Sequence, residues 1–321
     1  MESEQKKRND GKAKGIKKSK YVWMDGKIVQ WDRAKISIAA HALHYGTGVF
    51  EGIRGYESNG NLLIFRMRDH FERLLSSAKI CDIEIQYTAD ELCQACVDLA
   101  RANKIKEDCY IRPILFVGFS GIDLSFMKYP SNSAIIAFPF KNYFSKSGLD
   151  ACVSSWMRIC DPVTPPMAKI CGNYINSVFA KREAVKNGYD EAIMLNAEGK
   201  VAEGSGENIF IVRKGKITTP SLGSSILDGI TRNTIIHIAG DLGMEVQERS
   251  VARSELYTAD EVFLTGTAAG IIPVLSVDRK TTGNGKTGPI TKRLSDAYSD
   301  AAHGKSSTGD KNWITCVYGK E

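Results

Sequence analysis

Lys169 stands in the string Met167-Ala168-Lys169-Ile170-Cys171-Gly172, where the neighbours are small or apolar and none is charged. An ammonium held among apolar groups is poorly solvated, so the neutral amine becomes accessible, and a neutral lysine amine condenses with an aldehyde to a Schiff base. Gly172 allows a close backbone approach. The string VAEGSGEN sets Glu203 among glycines and small residues, where its carboxylate either faces a ring nitrogen or lies in a surface turn. Three further features suit an anion. TGTAAG, Thr265 to Gly270, would present consecutive N–H groups and threonine hydroxyls as a nest. GITR, Gly229 to Arg232, opens a helical pattern whose free N–H groups and dipole favour phosphate. Arg73, one helix face with His70, is the third. None of the glycine-rich stretches has GxGxxG or P-loop spacing.

These residues need elements to bring them together. Tyr174 to Lys186 predicts a helix with Ile175, Val178, Phe179, Ala180 and Val185 as its apolar stripe, and EAIMLN after it predicts a buried strand. YVWMDGKIVQW alternates around Asp25-Gly26, a hairpin signal, and NIFIVRKGKITTP predicts another at Lys214-Gly215. The glycines of HALHYGTGVFEGIRGY, His41 to Tyr56, predict a bent strand or loop with close backbone contacts. NLLIFR, CYIRPILFVGF, SAIIAFPF and CVSSWMRI predict strands, and EVFLTGTAAGIIPVLSV a strand, a small-residue turn and a strand. A helix is expected from Asp69, with Glu72 completing a capping box, and another after Thr88 with Glu91. Ile230 to Leu242 and GPITKRLSDAYSDAA complete the helices.

The expected fold class is mixed α+β and α/β in two domains. Residues 1–20 form a basic tail expected to be disordered, 21–140 a small α+β domain, 141–150 a linker and 151–321 a larger domain carrying the lysine. The tail holds eight basic and three acidic side chains, so it carries five of the six net positive charges of the 321 residues. The remainder is near neutral, which argues against specific nucleic-acid binding. No apolar run is long enough to span a membrane, and no apolar segment follows the basic N-terminus as in a signal peptide, so the expected location is cytoplasmic. Eight cysteines include one CxxC, Cys93 and Cys96, inside a helical pattern without a second pair to complete a zinc site. Buried thiols account for them, and no metal is expected.

A poorly solvated lysine, an acid, two anion nests and an arginine are the parts that hold and use pyridoxal 5′-phosphate. From about Tyr21 to near the C-terminus the chain resembles the branched-chain amino acid aminotransferases of the class IV, fold type IV pyridoxal-phosphate enzymes. HALHYGTGVFEGIR, YIRP, GNY, EGSGEN, GITR and GTAA follow in the family's order. The resemblance implies a cofactor lying between the two domains and exchange of amino groups between leucine, isoleucine or valine and 2-oxoglutarate. Lys169 would be the Schiff-base lysine and the proton shuttle between Cα and C4′. Glu203 would hold the pyridine nitrogen protonated, and Tyr174 would bond the ring O3′. Arg73, Ile230, Thr231 and Thr267 would hold the phosphate, with Leu227 packed on the ring. The substrate carboxylate would lie against Thr267, Ala268 and Tyr110. Tyr45, Phe50, Gly52, Phe140 and Tyr143 would shape the side-chain pocket, and Arg112 would reach the far carboxylate of glutamate. Ile122 and Leu124 would come from a neighbouring subunit, making a homodimer the minimum unit. The nearest alternatives are a D-amino-acid or amine transaminase and aminodeoxychorismate lyase. The chain departs from many relatives at Ile170 and Cys171, at Phe140 where some have tryptophan, and at Gly270 where some have glutamate.

Overall fold

A computed structural model describes residues 16–119, 121–125, 129–141, 144, 146–305 and 309–319. Two sheets carry the molecule. The first contains β1 (Tyr21–Met24), β2 (Lys27–Gln30), β3 (Gly48–Phe50), β4 (Ile53–Ser58), β5 (Asn61–Phe65), β6 (Cys109–Val117) and β7 (Ser131–Pro139). The second contains β8 (Leu149–Val153), β9 (Glu191–Leu195), β10 (Val201–Gly204), β11 (Asn208–Arg213), β12 (Lys216–Thr219), β13 (Val246–Glu248), β14 (Glu261–Gly266), β15 (Gly270–Val277) and β16 (Lys280–Thr281). The chain then returns, and β17 (Ile314–Cys316) pairs antiparallel with β5 at the edge of the first sheet. The strand orders are β17-β5-β4-β6-β7-β1-β2, with β3 also on β6, and β10-β9-β8-β15-β14-β11-β12-β13, with β16 on β15.

Helices α2 (Met67–Ile80) and α3 (Ala89–Ala102) bury Phe71, Leu74, Leu92 and Leu99 against the first sheet. Helices α5 (Ile230–Asp241) and α7 (Pro289–Ala302) cover the second through Ile235, Ile238 and Leu294 against Phe210 and Phe263. The shorter α1 (His41–Tyr45) and α6 (Arg253–Leu256) and the lysine-proximal α4 (Tyr174–Lys186) complete the helices among the described residues. No described helix is long and apolar enough to cross a membrane.

Local chemistry explains most boundaries. Asp25 and Gly26 take φ of 47° and 84°, the left-handed pair a two-residue hairpin needs. Thr88 and Glu91 form the expected capping box. The one expected at Asp69 is absent: α2 begins at Met67 after Arg66, and Asp69 already lies inside it. Its carboxylate instead takes two bonds of 2.9 Å from the Arg66 guanidinium. The strand expected over CVSSWMRI stops at Val153, because Glu183 of α4 captures the hydroxyls of Ser154 and Ser155 and, at 3.0 Å, the Ser155 N–H. Of the apolar stripe expected on α4, only Ala180 is buried. The helix packs inward through Ser177, Ala180 and Ala184, small residues that let it approach β9 closely, while Ile175 and Val185 are more than half exposed. The start of HALHYG is a helix, ended by Gly46 at φ 69°.

Candidate active site

Lys169 lies in the connection between β8 and α4, and that connection is stitched to β3. Phe50 N donates to Lys169 O at 3.1 Å, Cys171 N to Gly48 O at 2.8 Å and Gly172 N to Gly46 O at 3.2 Å. From α2, the Ser77 hydroxyl accepts the Lys169 N–H at 3.0 Å. A Cβ on Gly46 would stand 2.7 Å from the Gly172 Cα, so the two backbones meet only because Gly46 has no side chain. The amine reaches the Tyr174 hydroxyl at 2.5 Å and lies 5.1 Å from the centre of the Phe50 ring. Its surroundings are more polar than the neighbouring sequence implied. Arg73, Arg158, Tyr174 and Glu203 line the same cavity, and the side chains next to it in sequence turn elsewhere.

Glu203 follows a register shift between β10 and β9, an irregularity of the kind that re-aims a side chain. It is buried. Oε2 accepts from Asn208 Nδ2 at 3.0 Å and Leu227 N at 3.1 Å. Oε1 is 2.8 Å from Arg158 Nε, an ion pair whose N–H points off the oxygen. Burial pushes the Glu203 carboxyl upward, and the Arg158 charge and the Leu227 N–H pull it back toward the ionised form.

The other end of the cavity is built for an anion. Gly229 caps α5, so the first-turn N–H groups around Ile230 and Thr231 lack intrahelical acceptors. Thr265 Oγ1 lines the cavity, buried and without a partner among the described residues. Thr267 and Arg73 line it too. Arg73 is held by Glu51, with Nε to Oε1 at 2.6 Å and Nη2 to Oε2 at 2.9 Å, and by the Asp228 carbonyl at 2.6 Å. His70 Nδ1 lies 2.7 Å from Glu51 Oε2. Burial alone would raise the Glu51 carboxyl, but the charge of Arg73 and its contacts with His70 hold it well below the usual carboxylate range. Glu51 is thus an anionic clamp that orients Arg73.

An adjoining cavity is lined by Phe50, Gly52, Arg73, Tyr110, Arg112, Lys169, Tyr174, Thr267 and Ala268. A Cβ on Gly52 would fall 1.8 Å from the Tyr110 hydroxyl, so this glycine makes room for the tyrosine. Arg112 Nη2 donates to Tyr110 Oη at 3.2 Å, and its guanidinium lies 4.8 Å from the Phe50 ring centre. Phe140 packs behind Tyr110, ring centres 5.4 Å apart, and does not line this cavity. Tyr45 lines a separate hollow beside Gly46 and Gly172, with its hydroxyl bonded to Ile122 O at 3.1 Å. Tyr143 lies outside the described residues.

Four contributors were not picked out in the sequence. Glu51 had a signal, a lone acid inside the apolar glycine-rich string VFEGI. Arg158 had none, because only the folded chain brings it to Glu203. Asn208 and Glu207 follow Glu203 closely but take their roles from the turn between β10 and β11. Glu207 is buried and lines both cavities, and burial followed by the nearby charge of Glu191 pushes its carboxyl up to about 8.

A lysine amine facing a buried carboxylate, with an anion-binding helix end and an unpaired threonine hydroxyl beyond them, fits an aromatic aldehyde bearing a basic ring nitrogen and a phosphate. The comparisons agree. The model of the amino-transferase class IV family matches residues 48–277. The probable branched-chain-amino-acid aminotransferase of Aquifex aeolicus is 47% identical over 304 residues, 94% of this chain and 97% of its own. The crystal structure of the branched-chain aminotransferase from Thermoproteus uzoniensis with norvaline superposes with a TM-score of 0.90 at 49% identity, covering 94% of this chain and all of that one. The T.th. branched-chain amino acid aminotransferase complexed with N-(5′-phosphopyridoxyl)-L-glutamate gives a TM-score of 0.90 at 43% identity, covering 94% and 100%. The chain belongs to the class IV aminotransferases.

Proposed function

We propose that this protein is a pyridoxal 5′-phosphate-dependent transaminase that moves amino groups reversibly between leucine, isoleucine or valine and 2-oxoglutarate. Its products are the branched-chain 2-oxo acids and L-glutamate. The observation that carries this is that Lys169 lines both cavities, one ending at Glu203 and the anion site, the other at Tyr110 and Arg112. The relatives' norvaline and phosphopyridoxyl-glutamate ligands support the same assignment. When bound, the cofactor supplies an aldehyde for amine exchange and a ring that withdraws electrons from the substrate Cα.

The chain's own residues do the rest. Lys169 Nζ would hold the cofactor and move the proton taken from the substrate Cα. Tyr174, bonded to that amine, would bond the ring oxygen. Glu203 would keep the ring nitrogen protonated, and the Arg158 charge draws Glu203 toward the ionised form. Arg73, Ile230, Thr231 and Thr267 would hold the phosphate, and Leu227 would pack on the ring. Thr267, Ala268 and Tyr110 take the substrate carboxylate. Phe50, Gly52 and, from behind, Phe140 shape the apolar pocket, with Arg112 at its far end.

A second copy would complete the site. Ile122 and Leu124 are exposed, as are Ile175, Val178 and Phe179 of α4, an apolar surface suited to a homodimer. Tyr45 would then act near a subunit boundary. The eight free thiols suit a reducing, cytoplasmic setting. Purified holoenzyme given L-leucine and 2-oxoglutarate should release L-glutamate. Turnover only with D-amino acids or simple amines as donors would overturn the assignment, and a monomer in sedimentation would overturn the assembly.

A further inference from the structure

Asn208 opens β11 and pairs with Thr265 of β14 across the ladder, which fixes its backbone. Its side chain is buried. Nδ2 donates to Glu203 Oε2 at 3.0 Å and to the Leu227 carbonyl at 3.0 Å. Both partners are acceptors, so the NH2 end of the amide must face them, and both its hydrogens are spent. Leu227 N donates back to the same Glu203 oxygen at 3.1 Å. Three bonds therefore close a ring through the acid, the amide and the Leu227 backbone.

The other end of the amide meets the start of α5. A Cβ on Gly229 would fall 1.8 Å from Asn208 Oδ1 and 3.0 Å from its Cγ. Gly229 has φ of −75°, which any residue adopts. Its lack of a side chain is thus required by the amide and not by the backbone. One buried side chain so touches the acid on β10, the Leu227 backbone and the residue that caps α5 at the anion end. Asn208 lines the cavity that holds Glu203 but not the one with Tyr110 and Arg112.

We propose that Asn208 is a positioning residue for transamination, fixing the Glu203 carboxylate relative to Leu227 and the start of α5. This role rests on the pyridoxal-phosphate reading of the cavity. A rigid ring whose phosphate is held at the anion end presents its nitrogen in one place only. An acid free to shift would lose part of its contact with that nitrogen. Asn208 acts through Glu203 and touches no reacting atom.

A double-mutant cycle on the holoenzyme tests this. Asn208→Ala should lower kcat with leucine and 2-oxoglutarate at least about tenfold, the lower end of what a hydrogen bond to a charged group is worth. KM for leucine should stay within about threefold, because Asn208 does not line the substrate cavity. In a Glu203→Gln background the same substitution should cost less than about threefold, since the acid it acts through is already gone. Asn208→Asp keeps the volume but sets a carboxylate against two acceptors. It should slow turnover as much, so the result does not depend on the alanine variant folding. Equal losses with and without Glu203, or a lower melting temperature with kcat unchanged, overturn the proposal. Release of the cofactor, followed by its visible absorbance without any amino acid, gives the same cycle independently of turnover. A wild type that binds pyridoxal 5′-phosphate but does not turn over leucine sinks the transaminase assignment and leaves that second cycle to judge Asn208.

Discussion

Arg112→Met should separate the two half-reactions. The pocket must accept an isobutyl group in one direction and a carboxylate in the other. Phe50 serves the first, since burying apolar area stabilises by about 25 cal/mol per Å². The second needs a cation. Arg112 alternates with Tyr110 along β6 and lines the cavity with it. None of the ion pairs among the described residues includes Arg112, and its Nε has no partner, so it is not spent in a structural pair. A charge-assisted hydrogen bond to the far carboxylate is worth about 1.5–3 kcal/mol, roughly ten- to a hundredfold in kcat/KM. Methionine keeps most of the apolar stem, so leucine should lose no more than about threefold. Single-turnover kinetics, following the bound cofactor's visible absorbance with each amino acid alone, measures both. Equal losses for glutamate and leucine would refute the reasoning and give Arg112 the task of holding Tyr110.

Three further outcomes follow from the same geometry. Lys169→Ala should abolish turnover and borohydride-stable cofactor attachment while the fold survives, since Lys181 is held by Glu191 and the Asp190 carbonyl; substantial residual kcat would move the amine's role elsewhere. Glu203→Gln should retain cofactor but slow the reaction by about two to three powers of ten, the usual worth of an electrostatic contact to a developing charge; an unchanged kcat would reassign the acid. Glu207→Gln should flatten the pH dependence of stability. The folded carboxyl titrates near 8 against 4.5 when unfolded, so between those values the folded state binds more protons and wild-type stability falls as pH rises. Melting temperatures should therefore favour the variant at about pH 9 and converge toward pH 5; parallel curves would show that Glu207 is ionised throughout.

What could be read in the sequence depended on whether the signal was local. The Asp25-Gly26 turn and the Thr88–Glu91 box each need only a few adjacent residues, and both are present. The Asp69 box failed because the same four residues satisfy the pattern whether they lie at a helix start or one turn inside it, and Arg66 decided between them. On α4 the period was right, but of the expected stripe only Ala180 faces inward. A single chain cannot reveal that an apolar stripe faces outward, because the helix's real inner face is made of Ser177, Ala180 and Ala184, whose virtue is small size. Lys169, Glu203 and the two anion turns were visible as residues out of place. Arg158 was not, because it acts through a partner far away in the chain, and Glu51, though a lone acid among apolar residues and glycines, gave no sign of its partner Arg73.

That partnership explains how two acids four residues apart can do different work. Glu203, Glu207 and Glu191 are buried together, and the cations beside them are Arg158 at one end and Lys181 at the other. Burial raises both Glu203 and Glu207, but only Glu203 has a cation, an amide and a backbone N–H on its oxygens. Glu207 has one N–H, from Gly206 at 3.1 Å, and faces the charge of Glu191. Burial and the Glu191 charge therefore raise Glu207 with little to oppose them, while the Arg158 charge and the Leu227 N–H oppose the rise at Glu203. A ring nitrogen set against Glu203 would meet the acid whose partners favour the ionised form. Removing Arg158 would take away this preference while leaving Lys169, Tyr174 and the anion site in place, which makes the arginine a positioning residue for the acid.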